Sequence, residues 1–142
     1  MQNISELDED NFDVIVLSDV LEHVEDPFSL VRKVSELIKN GGSVYCSFPN
    51  NQSLRALLLK ERWRMIRPFG HLHFFSEKSL RILFESNGFK INHLIKTDLI
   101  KFNLKDFLKP HYFIIRMVLF FGQSFYGDQW IVHLTKNVRY QL

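Results

Sequence analysis

Ser18-Asp19-Val20-Leu21-Glu22-His23 follows directly on four consecutive apolar residues, Val14 to Leu17. A short apolar run without alternation predicts a strand buried on both faces, as in parallel sheets. In open α/β sheets, ligands bind just past the carboxyl ends of such strands. Backbone groups exposed there can hydrogen-bond an amino-acid-like moiety, and Glu22 and His23 add charge and a titratable ring. The competing reading makes Glu22 and His23 solvated residues at the start of a helix. A second cluster holds Arg62, Trp63, Arg64, Arg67, His71, His73, Phe74 and Phe75. Guanidinium and aromatic groups together can grip an anionic or polar substrate. The alternative is a solvated loop with Trp63 tucked down. On a strand, His71 and His73 would point both rings the same way. No carboxylate or cysteine cluster lies near them in sequence to complete a tetrahedral set, so no metal is expected.

The elements that must carry these residues are readable from local signals. After the strand Phe12–Ser18, Asp26 is a good helix N-cap and Pro27 suits the first helical position. Leu30, Val31, Val34, Leu37 and Ile38 recur at helical spacing and form one apolar face. Gly41-Gly42 after Lys39-Asn40 predicts the helix stop. Ser43 to Phe48 reads as the next strand, closed by Pro49-Asn50-Asn51, so the chain makes a βαβ unit. A short helix is predicted over Ser53 to Lys60, then an irregular loop from Glu61 to His73. Ser76 caps a further helix that ends at Gly88. Phe89 to Thr97 follows as a strand alternating Phe89, Ile91, His93 and Ile95. Asp106 to Phe121 is predicted helical around Pro110, with Arg116 embedded in its apolar face. A core helix, a substrate lid and a partner or lipid surface are all open readings of that face. A last strand covers Gln129 to Lys136. The order indicates an α/β layered domain.

Composition bounds the function. A chain of 142 residues with 46% hydrophobic residues suffices for one packed domain, and a net charge of +2 gives no reason to expect nucleic acid. The single cysteine, Cys46, permits no internal disulfide, which fits a reducing cytoplasm. The N-terminus is acidic and polar rather than basic then apolar, so no signal peptide is expected. The most apolar stretch, Tyr112 to Gly122, is far short of the roughly 20 residues that cross a bilayer.

Phe12-Asp13 through Leu21-Glu22-His23-Val24 resembles the fourth strand and following loop of class I S-adenosylmethionine-dependent methyltransferases, most closely the ubiquinone-biosynthesis O-methyltransferase type. Asp26-Pro27, Gly41-Gly42, Ser47-Phe48-Pro49-Asn50, His71-Leu72-His73-Phe74-Phe75-Ser76 and Gly88-Phe89 continue the pattern in order. The resemblance runs from about Asn3 to Thr97, plus the final strand. It implies S-adenosyl-L-methionine as cofactor and a small-molecule acceptor with an O, N or C nucleophile. It implies Ser18 and Asp19 as neighbours of the cofactor, and His23 as a substrate-side residue and catalytic base. It implies that Asn3 and Ile4 contact the adenine, Asn3 standing where the family has an acidic or amide residue. It places His71 and His73, with Trp63 and Arg67, at the mouth of the substrate pocket.

The family's first strand ends in a Gly-x-Gly-x-Gly loop around the cofactor, and no Gly-x-Gly occurs here. The resemblance therefore implies a single, incomplete methyltransferase domain over residues 1–142, a partial Rossmann-like sheet of strands 4, 5, 6 and 7 with strands 1 to 3 absent. In the family order 3-2-1-4-5-7-6, strand 12–18 then becomes an edge. An apolar edge is a poor one, which suggests self-association or a partner chain along it. Alone, the chain is expected to be inactive. The competing hypotheses are a truncated, non-catalytic remnant acting as an interaction module, and an unrelated α/β enzyme sharing only the architecture.

Overall fold

The computed structural model describes residues 12–66, 70–97 and 127–137. Its elements run β1 (Phe12–Ser18), α1 (Pro27–Leu37), β2 (Ile38–Pro49), α2 (Leu54–Leu59), a 3-10 turn (Lys60–Arg62), α3 (Glu77–Glu85), β3 (Phe89–Thr97) and β4 (Gln129–Lys136). They build an α/β fold on a four-stranded sheet of order β1-β2-β4-β3. β1 and β2 are parallel, and β4 runs antiparallel between β2 and β3. This is the strand order 4-5-7-6 that the resemblance implies. The expected helix over 106–121 lies outside the described residues.

Local signals place the helices. The Asp26 carboxylate accepts hydrogen bonds from the backbone N–H groups of Phe28 and Ser29 at 3.0 and 3.1 Å, with Pro27 next in line. Ser76 caps α3 by accepting from Ser79 N–H at 3.1 Å, and Gly88 ends the turn after it at φ 80°. Val31 and Val34 of α1, and Leu80, Leu83 and Phe84 of α3, pack on one face of the sheet against Ile38, Val44, Cys46, Phe48, Trp130, Val132 and Leu134. Burial pushes the Cys46 thiol up to about 12.

Three expectations are corrected. The first helix ends at Leu37, and Ile38 opens β2 instead of closing α1. Ile38 pairs with Phe12, whereas Val14 already pairs with Ser43, so residues 39–42 loop out between the two pairs. Gly41 at φ 78° makes that loop, and Lys39 pins it to the Asp13 carboxylate at 2.9 Å. The glycines therefore bend a strand and do not stop a helix.

The second correction concerns β1, which is buried on one face only. Ile15 and Leu17 point to the helices, while Val14 and Val16 are 54% and 65% exposed. Among the described residues that face of the sheet is open, and Tyr45, Ile131 and Ile95 lie exposed across it. Tyr45 stacks on His133 with ring centres 4.6 Å apart, and His133 stacks on His93 at 5.7 Å.

Third, the alternation expected in β3 breaks. An extra residue between Ile91 and His93 shifts the register, so Leu94 joins the core and His93 and Ile95 turn to the open face.

Candidate functional site

β1 ends at Ser18, and Asp19 takes the left-handed conformation at φ 52°. Asp19 N–H donates to the Ser47 carbonyl at 2.9 Å, and the Ser18 and Ser47 hydroxyls meet at 3.1 Å. The carboxyl ends of the two parallel strands are thus tied, with Ser18 and Asp19 left exposed at the edge. The chain then turns back through His23 N–H, which donates to the Val20 carbonyl at 3.0 Å. That turn sends Leu21 and Glu22 inward and His23 outward.

The turn is latched to the loop before α3. The Glu22 carbonyl accepts the N–H groups of Leu72 at 2.7 Å and His73 at 3.2 Å. The His23 ring bonds through Nδ1 to the Gly70 carbonyl. A carbonyl can only accept, so the neutral ring carries its proton on Nδ1 and presents a lone pair at Nε2. The His71 ring packs edge-on against His23, with centres 4.7 Å apart. Phe74 lies 6.1 Å from His71 and 5.8 Å from Trp63.

The Glu22 side chain is 1% exposed, and neither carboxylate oxygen has a hydrogen-bond partner. His23 Nε2 lies 3.9 Å from Glu22 Oε1. Burial, and after it the Asp19 charge, holds the Glu22 carboxyl above its ordinary value; its own backbone N–H and His23 pull the other way. One oxygen of Glu22 and one ring nitrogen each of His23 and His71 lie within 4.8 Å of one another. Two imidazoles and a carboxylate are the protein share of an open tetrahedral cation site, and no further His, Cys or carboxylate joins these three among the described residues. The geometry is first that of an acid–base cluster, a desolvated carboxyl 3.9 Å from an imidazole nitrogen.

Of the residues expected from sequence, the fold brings His23 and His71 together, with Asp19 close enough to act on the Glu22 charge. His73 goes elsewhere. Residues 71–74 form no strand, so the two histidines do not point the same way: His73 Nε2 meets the Glu25 carbonyl at 3.3 Å and its ring stacks on Phe75. Trp63 is tucked down and buried, whereas Arg62 and Arg64 stay exposed. Asn3, Ile4 and Arg67 lie outside the described residues. Glu22, open in the sequence between a charged site residue and a solvated one, is the most deeply buried ionisable group of the cluster. The signal for it is its place within Asp19-Val20-Leu21-Glu22-His23, where a turn can drive two adjacent side chains inward.

A buried polar knot ties the chain after β2 to the residues before β4. Asn50 donates through Nδ2 to the Gly127 carbonyl at 2.7 Å, and Ser53 Oγ donates to the Asp128 carboxylate at 2.8 Å. Arg55 pairs with the other Asp128 oxygen at 3.1 Å.

Comparison with known proteins agrees with this architecture. The chain is 31% identical over 101 residues to the mitochondrial ubiquinone biosynthesis O-methyltransferase of Dictyostelium discoideum, a match covering 66% of this chain and 32% of that protein. A Thermotoga maritima S-adenosylmethionine-dependent methyltransferase, a possible histamine N-methyltransferase, superposes with a TM-score of 0.63 at 16% identity, over 93% of this chain and 59% of that one. Magnesium protoporphyrin IX methyltransferase from Synechocystis, solved with S-adenosylhomocysteine bound, superposes with a TM-score of 0.58 at 18% identity, over 96% of this chain and 49% of that one. The chain thus spans about a third of its curated relative and about half to three-fifths of these structures. Residues 2–94 match the family model described as a methyltransferase domain. The chain belongs to the methyltransferase-domain family, with the fold of its S-adenosylmethionine-dependent members.

Proposed function

We propose that the chain supplies the acceptor-side half of a class I methyltransferase site, transferring a methyl group from S-adenosyl-L-methionine to a small-molecule O, N or C nucleophile. The observation that carries this reading is the His23 ring, whose Nε2 lone pair is freed by the bond from Nδ1 to Gly70. Exposed Ser18 and Asp19, at the carboxyl end of β1, fit the polar methionine portion of the cofactor. Asn3 and Ile4 are assigned to its adenine. When bound, the cofactor supplies an electrophilic methyl group on a sulfonium. His23 takes the proton from an acceptor O–H or N–H at Nε2. Glu22, 3.9 Å away, steadies the imidazolium so formed. His71 and Phe74 wall the acceptor side, with Arg67 at the mouth. Trp63 supports that wall from below, and His73 holds the loop by its bond to Glu25.

The same reading assigns the glycine-rich loop and the family's first three strands to a segment outside the described residues, joined along β1. Exposed Val14 and Val16 on that edge support it. Accordingly the chain alone binds cofactor weakly and turns over little. The setting is a reducing cytoplasm, in keeping with one buried thiol. A second reading, a non-catalytic module that binds a partner through β1, draws on the same exposed valines.

The test is to express the chain with the coding segment directly upstream and follow S-adenosylhomocysteine formation over a panel of phenols, amines and carbon acids. Turnover that His23→Ala lowers strongly supports the enzyme. A well-folded long form that binds no cofactor leaves the interaction module as the answer.

A further inference from the structure

β3 and β4 are antiparallel neighbours, and Thr97 at the end of one pairs with Gln129 at the start of the other. A tight hairpin would join them with about two to five residues. This chain instead places residues 98–126 between them. The two ends of that excursion are held together. Gly127 lies so close to Thr97 that an added Cβ would stand 2.3 Å from its backbone nitrogen. Asn50 holds the Gly127 carbonyl from the β2 side at 2.7 Å. The excursion therefore leaves and re-enters at one point, the edge of the sheet where β3 ends and β4 begins.

That point borders uncovered apolar surface. On the open face, Ile95 and Ile131 pair across β3 and β4, two residues in from Thr97 and Gln129, and are 53% and 38% exposed. The Tyr45–His133–His93 stack is the next row. The opposite face is already filled by α1 and α3. The excursion is itself strongly apolar: from Tyr112 to Gly122 the one charged residue is Arg116. On the helical period expected over 106–121, at about 100° per residue, Ile114, Val118 and Phe121 fall opposite Arg116. Leaving such a stripe in water costs free energy in proportion to its area. Two apolar surfaces, each lacking a cover, are thus tethered to one another.

We propose that the segment 98–126 covers the β4–β3 half of the open face, seating Ile114, Val118 and Phe121 on Ile95 and Ile131 with Arg116 on the solvent side. A tethered segment acts at an effective concentration on the order of millimolar, so a free second copy competes poorly for the patch. Val14 and Val16, on the β1 edge at the other side of the sheet, stay outside the contact. The proposal concerns packing and does not rest on methyl transfer.

The experiment is thiol labelling of the full chain with a maleimide, on Ile95→Cys and, as the reference for bare surface, on Ile82→Cys of α3, where Ile82 is exposed. Cys46 is buried, so its silence reports an intact fold. Ile95→Cys should label at least about tenfold more slowly than Ile82→Cys, because it reacts only when the segment lifts. Adding Val118→Glu with Phe121→Glu should return its rate to that of Ile82→Cys, with Cys46 still unlabelled. If that variant labels at Cys46 it has unfolded, and a cross-link decides instead: Ile95→Cys with Val118→Cys should join within one chain through a short bismaleimide. No such cross-link, or equal rates for Ile95→Cys and Ile82→Cys, overturns the proposal. So does protection that survives Val118→Glu with Phe121→Glu. Protection that falls away on dilution together with a dimer overturns it too, and makes a second copy the occupant. Labelling does not read methyl transfer, so failure of the enzyme reading leaves this result standing.

Discussion

Glu22 Oε1 stands 3.9 Å from His23 Nε2, yet the Glu22 side chain is 1% exposed and that of His23 43%. One partner of the pair is in the protein interior and the other is in water. A proton between them is governed by two different solvents, and this makes the pair the chemical centre of the described residues.

Burial holds the Glu22 carboxyl above its ordinary value of 4.5. Between the unfolded and the folded value, the folded chain binds the proton and the unfolded chain does not. Stability must therefore fall as pH rises through that window. Glu22→Gln keeps the shape and cannot ionise. Denaturant titrations from about pH 4 to 8 should show a flatter profile for the variant, and greater stability than the parent at neutral pH. Parallel profiles for parent and variant would mean that Glu22 is not desolvated.

In the complete enzyme, His23→Ala should lower single-turnover rates by about 10²–10⁴-fold, the worth of a positioned base. Cofactor affinity should stay within a few-fold. Asp19→Ala should do the reverse, weakening cofactor binding with a smaller effect on the rate. Paired titrations and single-turnover measurements on both variants separate the two roles. If His23→Ala turns over like the parent, the base lies elsewhere and His71 is the next residue to replace.

Val34 lies in the core between α1 and the sheet. Val34→Asp would leave a charge there without a partner, at a cost on the order of several kcal/mol. That is a large part of the about 5–15 kcal/mol that holds a domain together. Calorimetry should show the transition lost or moved far down. A melting point within a degree or two of the parent would contradict the packing.

Gly88 ends the α3 turn at φ 80°, and an added Cβ there would meet nothing nearer than Ser35 Oγ at 4.0 Å. The cost of Gly88→Ala is then conformational and not steric, about 1–2 kcal/mol. Gly88→Asn should cost less, because asparagine tolerates the left-handed region. Equal losses for the two variants would show that crowding is responsible.

The residues whose meaning is local were legible in the sequence. Asp26-Pro27 and Ser76 announce helix starts, and Gly88 a stop, because caps and positive φ act within one turn. Ile38 was not, since an apolar residue at that position satisfies both the helical face and a strand. Pairing with Phe12, 26 residues earlier (38 − 12), decides it. The shift at Asn92 is invisible for the same reason: a bulge belongs to a pair of strands, and β4 was needed to define it. In the site, the sequence marked Asp19 to His23 as the strand end but left Glu22 between a charged site residue and a solvated one. The N–H groups of Leu72 and His73 close over its carbonyl from far along the chain, a latch that no local signal announces. His71 and His73 part ways because a His-x-His spacing points both rings one way only on a strand, and residues 71–74 form none.

Among the described strands β4 is the last to be made, and it lies in the middle of the sheet, between β2 and β3. On a ribosome, β1 and β2 can pair as soon as they emerge, but β3 has no neighbour until residues 129–136 arrive. Until then the inner edge of β2 and all of β3 are bare, and α2 lacks Asp128, the residue that roots it. A nascent chain stalled before Trp130 should accordingly recruit chaperones strongly.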